Sequence, residues 1–379
     1  MTAFKINIPQ SDIDDLNRRL SGVRWPAAPT EDPWILGTDQ AFLERLLNYW
    51  SSSYSWREQE KWLNSFPQFK CAINGHDVHF VHVKGEGTNA KPLLLTHGWP
   101  GSFIEFLRAV PYLTTPSKFG GDPRDAFDVI IPSLPGFGFS ACPTVTGVGP
   151  KYVASLWKQL MDSLGYERFF VQGGDLGASV STWMSFLYPD SILAMHLNFI
   201  PGTYRPFLGS AADPISPQED NFLKVVADWA SREGAYGALH KTKPETLAFA
   251  LSDSPVGLAS WISEKFHAWS DCGGNIEQSF SLDDLITNIS IYWFTNTIAS
   301  SMRIYVEGAR VPLNFAEGDR VDVCTGVSVF PKEIPMPPRS WVERVYRVEY
   351  WKMMDRGGHF AAMEHPKLFA EEMKSFFGR

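Results

Sequence analysis

The sequence predicts an α/β fold, a mostly parallel sheet with crossover helices, interrupted once by a block of helices. Three observations predict it. Short apolar runs alternate with helical patterns from about residue 69 to 200 and again from 327 to 377. Glycine-rich loops directly follow several of those runs, at the strand ends where ligands of such sheets bind. Between 202 and 310 the alternation stops and only helical patterns remain.

Residues 1–70 read as an N-terminal extension wrapping the core. Ser11-Asp-Ile-Asp14 opens a helix that continues through Leu16, Leu20 and Val23. Phe42, Leu46, Leu47 and Trp50 recur at helical spacing, and Arg24-Trp-Pro-Ala-Ala-Pro29 is a loop. Residues 71–201 form the first part of the core. Strands at 69–74 and 76–84 flank Asn74-Gly75, a strong hairpin signal. Leu93–Leu95 is a short buried strand ending at Thr96-His-Gly-Trp-Pro-Gly101. Phe127–Pro132 is another, followed by Pro135-Gly-Phe-Gly-Phe-Ser140. A helix over 150–164 places Val153, Leu156, Trp157, Leu160 and Leu164 on one face. A strand over 168–172 runs into Gly173-Gly-Asp-Leu-Gly177, followed by a helix over 178–188 and a strand over 192–200.

Residues 202–310 read as an inserted helical lid, with helices over 219–232, 244–251, 255–269 and 281–306. Ser254-Pro255 is an N-cap with proline in the first helical position. Residues 311–379 complete the core, with strands at 327–330 and 345–350 and a last helix over 364–377.

Composition bounds the function. A chain of 379 residues buries a large core without cross-links, and 44% hydrophobic against 20% charged residues describes a globular protein. A net charge of −8 argues against a nucleic-acid groove. Cys71, Cys142, Cys272 and Cys324 are widely spaced and form no C-x-x-C pair, which argues against a zinc ribbon or disulfide scaffold. The first ten residues hold no apolar signal region, and no apolar run is long enough to span a membrane. A cytoplasmic protein without a membrane anchor is expected. Aromatic residues make up 14% of the chain. Trp157, Trp261 and Trp269 read as packing, and Trp25, Trp34, Trp50, Trp56 and Trp62 as fasteners of the extension.

Gly173-Gly-Asp-Leu-Gly177 fits G-x-nucleophile-x-G, a sharp strand-to-helix turn whose crowded neighbours must lack bulk. Asp175 stands where hydrolases of this pattern usually carry serine. In such enzymes one oxyanion donor follows the nucleophile and another comes from the loop after an earlier strand. That nominates the N–H groups of Leu176 and Trp99. His97 reads as structural. The chain order nucleophile, acid, histidine nominates His359 in Gly357-Gly-His-Phe360. The acid then falls between lid and histidine. Glu333, just past the strand ending at Phe330, is preferred over Asp322, which lies at the wrong end of that strand, and over Asp355, a loop residue. His76, His79 and His82 do not share a face of their strand, so they do not read as a metal site. Gly136-Phe-Gly-Phe-Ser-Ala141 spells a dinucleotide fingerprint, but Cys142-Pro143 follows and no helix opens there.

An aspartate nucleophile points to alkyl transfer. Serine opening an epoxide or displacing a halide would form an ether that water does not readily cleave. Aspartate forms an ester with an open carbonyl, and it is already ionised at neutral pH. A histidine–acid pair then activates water for the second step.

With these motifs in place the chain resembles an epoxide hydrolase of the α/β-hydrolase superfamily, in the microsomal-type branch with its soluble bacterial and fungal members. The resemblance spans nearly the whole chain. It rests on His97-Gly-Trp-Pro-Gly-Ser102, Arg24–Pro29, Phe66-Pro-Gln-Phe69, Thr242–Thr246, Ser252–Leu258 and Glu264-Lys-Phe-His-Ala-Trp269. It implies an α/β-hydrolase fold with a lid and a meandering N-terminal extension. It implies two lid tyrosines over the nucleophile, matched by Tyr236 and by Tyr305 in Met302-Arg-Ile-Tyr-Val306, and it places the acid at Glu333. The expected reaction converts an epoxide and water to a vicinal diol, with neither cofactor nor metal. The expected partner is a small-molecule epoxide, with a homodimer left open. Haloalkane dehalogenase is the nearest rival, but those enzymes carry tryptophan directly after the nucleophile, where Leu176 stands here. A non-catalytic binding protein on the same fold is the other rival, and the complete set of catalytic groups argues against it. Detoxification and natural-product biosynthesis both remain open as roles.

Overall fold

The computed structural model describes residues 1–27, 32–209 and 212–378. The chain begins with β1 (Thr2–Phe4), α1 (Gln10–Ser21), α2 (Gln40–Ser52) and α3 (Trp56–Leu63). Then come β2 (Gln68–Ile73), β3 (His76–Val83), β4 (Lys91–Thr96), α4 (Val110–Thr114), β5 (Phe127–Pro132), α5 (Pro150–Ser163), β6 (Phe169–Gly173), α6 (Asp175–Leu187) and β7 (Ile192–Leu197). The insertion contributes α7 (Pro217–Glu233), α8 (Ala235–Thr242), α9 (Pro244–Asp253), α10 (Pro255–Ala268), α11 (Leu282–Thr295) and α12 (Ile298–Arg310). The chain closes with β8 (Val321–Val329), α13 (Arg339–Glu343), β9 (Tyr346–Met353), α14 (Ala361–Glu364) and α15 (Pro366–Phe377).

The strands form one sheet in the order β1-β2-β3-β5-β4-β6-β7-β8-β9. The pairs β1–β2, β2–β3 and β3–β5 are antiparallel, and every pair from β5 to β9 is parallel. Both faces are covered, so the central strands read as continuous apolar runs. The pleat still sorts them. Leu94 and Ile130 enter one apolar layer, while Leu93, Leu95, Val129 and Ile131 enter the other. On one face α5 packs beside α6, and on the other α4 packs beside α15.

Several boundaries differ from the sequence reading. The helix expected over 281–306 is two, α11 and α12. Asn296 ends α11 in the left-handed conformation (φ +50°), with its own N–H and that of Thr297 returned to Trp293 and Tyr292 carbonyls. Helix α8 was not anticipated, because Gly237 and a short length hide its period. The last helix, expected over 364–377, starts at Pro366 as α15, and a separate short helix, α14, precedes it. Strand β8 starts at Val321, so Asp322 lies inside it rather than ahead of it. Strand β7 ends at Leu197, and α6 starts at Asp175 itself. In the loop expected over 24–29, Ala28 and Pro29 lie outside the described residues.

The N-terminal segment lies largely against the inserted helices. Helices α1 and α2 pack on α10, and α2 and α3 on α11. Trp34 stacks on His267 at 4.0 Å, Thr38 donates to the Ser260 carbonyl, and Tyr49 donates to Asp283. Trp50 and Trp56 are buried, whereas Trp25 is exposed.

Candidate active site

The end of β6 and the start of α6 build the elbow. Asp175 takes a left-handed backbone (φ +49°), which costs a non-glycine residue about 1–3 kcal/mol and so needs firm support. The support is close packing. A Cβ on Gly177 would lie 1.9 Å from the Thr96 carbonyl oxygen, and one on Gly98 would lie 2.3 Å from the Asp175 side chain. Glycine at both positions lets the β4 loop touch the turn.

That contact aims donors at the carboxylate. The Trp99 N–H donates to Asp175 Oδ1 at 2.9 Å. Leu176 is the second residue of α6, and its N–H has no acceptor within the helix. Leu176 sits in the first turn of α6, whose N-terminus favours negative charge.

His359 lies in the loop after β9. Its Nε2 is 3.5 Å from Asp175 Oδ2, and its Nδ1 is 2.6 Å from Glu333 Oε1. Glu333 also accepts the Ile334 N–H at 2.8 Å, while its Oε2 is buried without a partner. Burial opposes charge on His359, but Glu333 and Asp175 outweigh it and hold the imidazole well above its usual range. Burial raises Glu333, and the His359 charge opposes that rise. Asp322 and Asp355 are exposed and take no part. His97 is buried beneath the loop, where Nδ1 meets the Gly98 carbonyl and Nε2 accepts the Leu134 N–H. His79 is fully buried between Ser133 and Gln68, and His82 reaches Tyr166.

The lid brings Tyr236, on α8, and Tyr305, on α12, to the same place. Their ring centroids are 6.1 Å apart. The Trp99 ring stacks on Tyr236 at 5.4 Å and meets Tyr305 edge-on at 6.2 Å. Burial is the main cause that raises both phenols, and the Asp175 charge adds to it, so both are neutral at pH 7. The Tyr305 hydroxyl is buried and meets no partner in full hydrogen-bond geometry among the described residues, although the Tyr236 hydroxyl is close enough to act on it.

Sequence reasoning missed part of this surround. Trp269, read as packing, places its ring 5.2 Å from His359 and 5.1 Å from Tyr236. His240 sits edge-on to Trp99 at 4.6 Å. The Lys265 ammonium lies 5.0 Å over the Tyr236 ring and 5.5 Å over Trp269. Glu364 accepts the N–H groups of Gly358, Phe360 and Asp271, fixing the backbone on both sides of His359. The helical period of α10 marks Lys265 and Trp269 only as one face. Nothing in their spacing says that the face meets a catalytic loop.

Fold and site together define an α/β hydrolase with aspartate at its elbow. Residues 1–106 match the family described as epoxide hydrolase N terminus, and residues 91–231 match the alpha/beta hydrolase fold. A putative epoxide hydrolase of Stigmatella aurantiaca is 45% identical, covering 100% of this chain and 84% of that protein. Epoxide hydrolase 1 of Sus scrofa is 37% identical, covering 99% and 88%. Among solved structures, the epoxide hydrolase of Aspergillus niger aligns with a TM-score of 0.86 at 29% identity, covering 100% of this chain and 96% of that one. The juvenile hormone epoxide hydrolase of Bombyx mori aligns with a TM-score of 0.85 at 32% identity, covering 100% and 93%. The chain belongs to the epoxide hydrolase family, and it is an enzyme that hydrolyses epoxides. The dehalogenase and non-catalytic alternatives fall with that assignment. No helix among the described residues is long and apolar enough to cross a membrane.

Proposed function

We propose that Asp175 is the nucleophile, that Tyr236 and Tyr305 are the acids and that His359 with Glu333 is the base of this reaction. The observation that carries the reading is the position of Asp175. One oxygen is held by the Trp99 N–H at 2.9 Å and the other faces His359 Nε2 at 3.5 Å. The lid phenols flank the same loop.

In the first half-reaction a carboxylate oxygen of Asp175 forms a bond to an epoxide carbon as the ring C–O bond breaks. An alkoxide is a poor leaving group even from a strained ring. The neutral phenols of Tyr236 and Tyr305 hydrogen-bond the ring oxygen and supply its proton. General acid help of this kind is worth about 10²–10⁴-fold. The product is a hydroxyalkyl ester on Asp175.

In the second half-reaction His359 Nε2 takes a proton from water, whose oxygen attacks the ester carbonyl. Glu333 orients the ring through Nδ1 and stabilises the imidazolium. The N–H groups of Trp99 and Leu176 receive the tetrahedral oxyanion, where loss of one donor costs about 10²–10³-fold. The oxyanion then collapses, the ester C–O bond breaks as the His359 imidazolium protonates the leaving alkoxy oxygen, a vicinal diol leaves, and the carboxyl proton left on Asp175 returns through solvent to the tyrosinate. Cys71, Cys142 and Cys272 form no disulfide with one another, which suits a reducing compartment and supports a cytoplasmic location.

The test separates the two half-reactions. His359→Gln should alkylate but not hydrolyse, so intact-mass spectrometry with a styrene-type epoxide should find one adduct, mapping to Asp175. No adduct would sink the scheme. Asp175→Ala should show neither adduct nor turnover.

A further inference from the structure

Glu105 is an acid of this site whose carboxyl has no hydrogen-bond partner among the described residues. It lies on the single 3-10 turn Phe103–Phe106, immediately after the loop that supplies the Trp99 N–H. Its carboxyl is half-buried and makes no hydrogen bond to any other described residue. It rests against Gly101, where a Cβ would come 2.6 Å from Oε2. The turn packs on α14, the helix that follows His359. Glu105 therefore stands where the oxyanion loop meets the histidine loop.

The surrounding charges set its state. Asp175, Glu333 and Glu364 crowd one histidine, and carboxyls so placed cannot all ionise together with a fourth. Asp175 and Glu333 engage His359, and Glu364 accepts three N–H groups. Among the described residues Glu105 has no donor to favour its anion. Burial above all, with the three carboxylates opposed by His359, pushes its carboxyl up to about 8. Beside it, Tyr292 of α11 is neutral and donates to the Gly101 carbonyl. A neutral carboxyl offers one donor and an acceptor. A half-buried polar group with no protein partner takes one from water or substrate.

We propose that Glu105 is a water-positioning residue of the hydrolytic step: its carboxyl hydrogen-bonds the water that His359 deprotonates and turns it towards the Asp175 ester carbon. The water O–H bond breaks towards His359 Nε2, the new bond forms from water oxygen to the ester carbon, and Glu105 keeps its own proton. This rests on Asp175 as the nucleophile.

Single-turnover mixing with a styrene-type epoxide, followed by intact mass, reads adduct formation and decay separately. In Glu105→Leu the adduct should form at the wild-type rate and decay about 10²-fold more slowly, the scale of a misplaced reactant. Glu105→Gln keeps shape, donor and acceptor, and should decay close to the wild-type rate. Wild-type decay should fall above a pH of about 8, as Glu105 ionises. That limb should vanish in Glu105→Gln, a result no purely structural role predicts. Wild-type decay in Glu105→Leu, slow decay in Glu105→Gln, or a limb that persists in Glu105→Gln would each overturn the proposal. If Glu105→Leu does not fold, the pH limb in Glu105→Gln still decides. Failure of the Asp175 reading looks different, because no adduct would then form in any variant, His359→Gln included.

Discussion

His359 faces two carboxylates, one on each nitrogen, at 2.6 Å and 3.5 Å. Burial works against its charge, and Glu333 and Asp175 together more than reverse that. An imidazole held protonated cannot act as a base. The proposed ester on Asp175 would remove one of the two anions, so the first half-reaction itself would lower the hold of His359 on its proton. The isosteric Asp175→Asn mimics that loss of charge. His359 should therefore titrate at lower pH in Asp175→Asn than in the wild type, with Glu333 unchanged in both. Nitrogen-15 NMR of the ring measures it, and equal titration in the two proteins would contradict the idea. At this scale much of the site was legible. Asp175, His359, Glu333 and Trp99 announce themselves because an elbow and two loops require fixed spacing along the chain. Lys265, His240 and Glu105 do not. Their relation to the site exists only once separate segments meet.

The break between α11 and α12 decides where Tyr305 points. A single helix over 281–306 would carry the phenol straight on. Instead Asn296 turns the chain in the left-handed conformation and α12 lies back against α8, which carries Tyr236. Asparagine tolerates that backbone better than branched residues do. Asn296→Ile should lower stability by about 1–2 kcal/mol, the left-handed penalty for a residue with a Cβ, read from the urea midpoint. It should also slow alkylation more than hydrolysis, because the proposed role of Tyr305 is in the first step. Asn296→Gly should leave the alkylation rate near that of the wild type. The sequence hid this break because apolar residues stay frequent through Trp293, Phe294, Ile298 and Met302, so the period runs on across the turn. It revealed the strands more fully, since β4 and β5 are buried on both faces and read as unbroken apolar runs.

Across the whole molecule the lid must keep its phenols over an elbow built by a different stretch of chain. Its N-terminal side is tied by one buried ion pair. Glu219, at the third position of α7, completes a capping box with Ser216. It also receives the guanidinium of Arg344, which follows α13, with Nε at 2.9 Å and Nη2 at 2.8 Å. The same guanidinium donates to the Asp213 and Pro214 carbonyls, so it grips the approach to the lid as well. The side chains are 2% and 13% exposed, so removing the cation strands a buried carboxylate. Losing one partner of such a pair costs about 3–5 kcal/mol. Arg344→Met should lower the thermal midpoint accordingly, and Glu219→Gln combined with it should recover part of the loss. The pair also carries a pH signature. Arg344 is the chief cause that draws Glu219 down to about 2, from an ordinary 4.5. A carboxyl depressed on folding stabilises the native state above its unfolded value and loses that contribution as pH falls towards the folded one. Wild-type stability should therefore decline between a pH of about 4.5 and about 2 more steeply than that of Arg344→Met. Urea unfolding across that range measures the difference, and parallel curves would mean that the lid is anchored elsewhere.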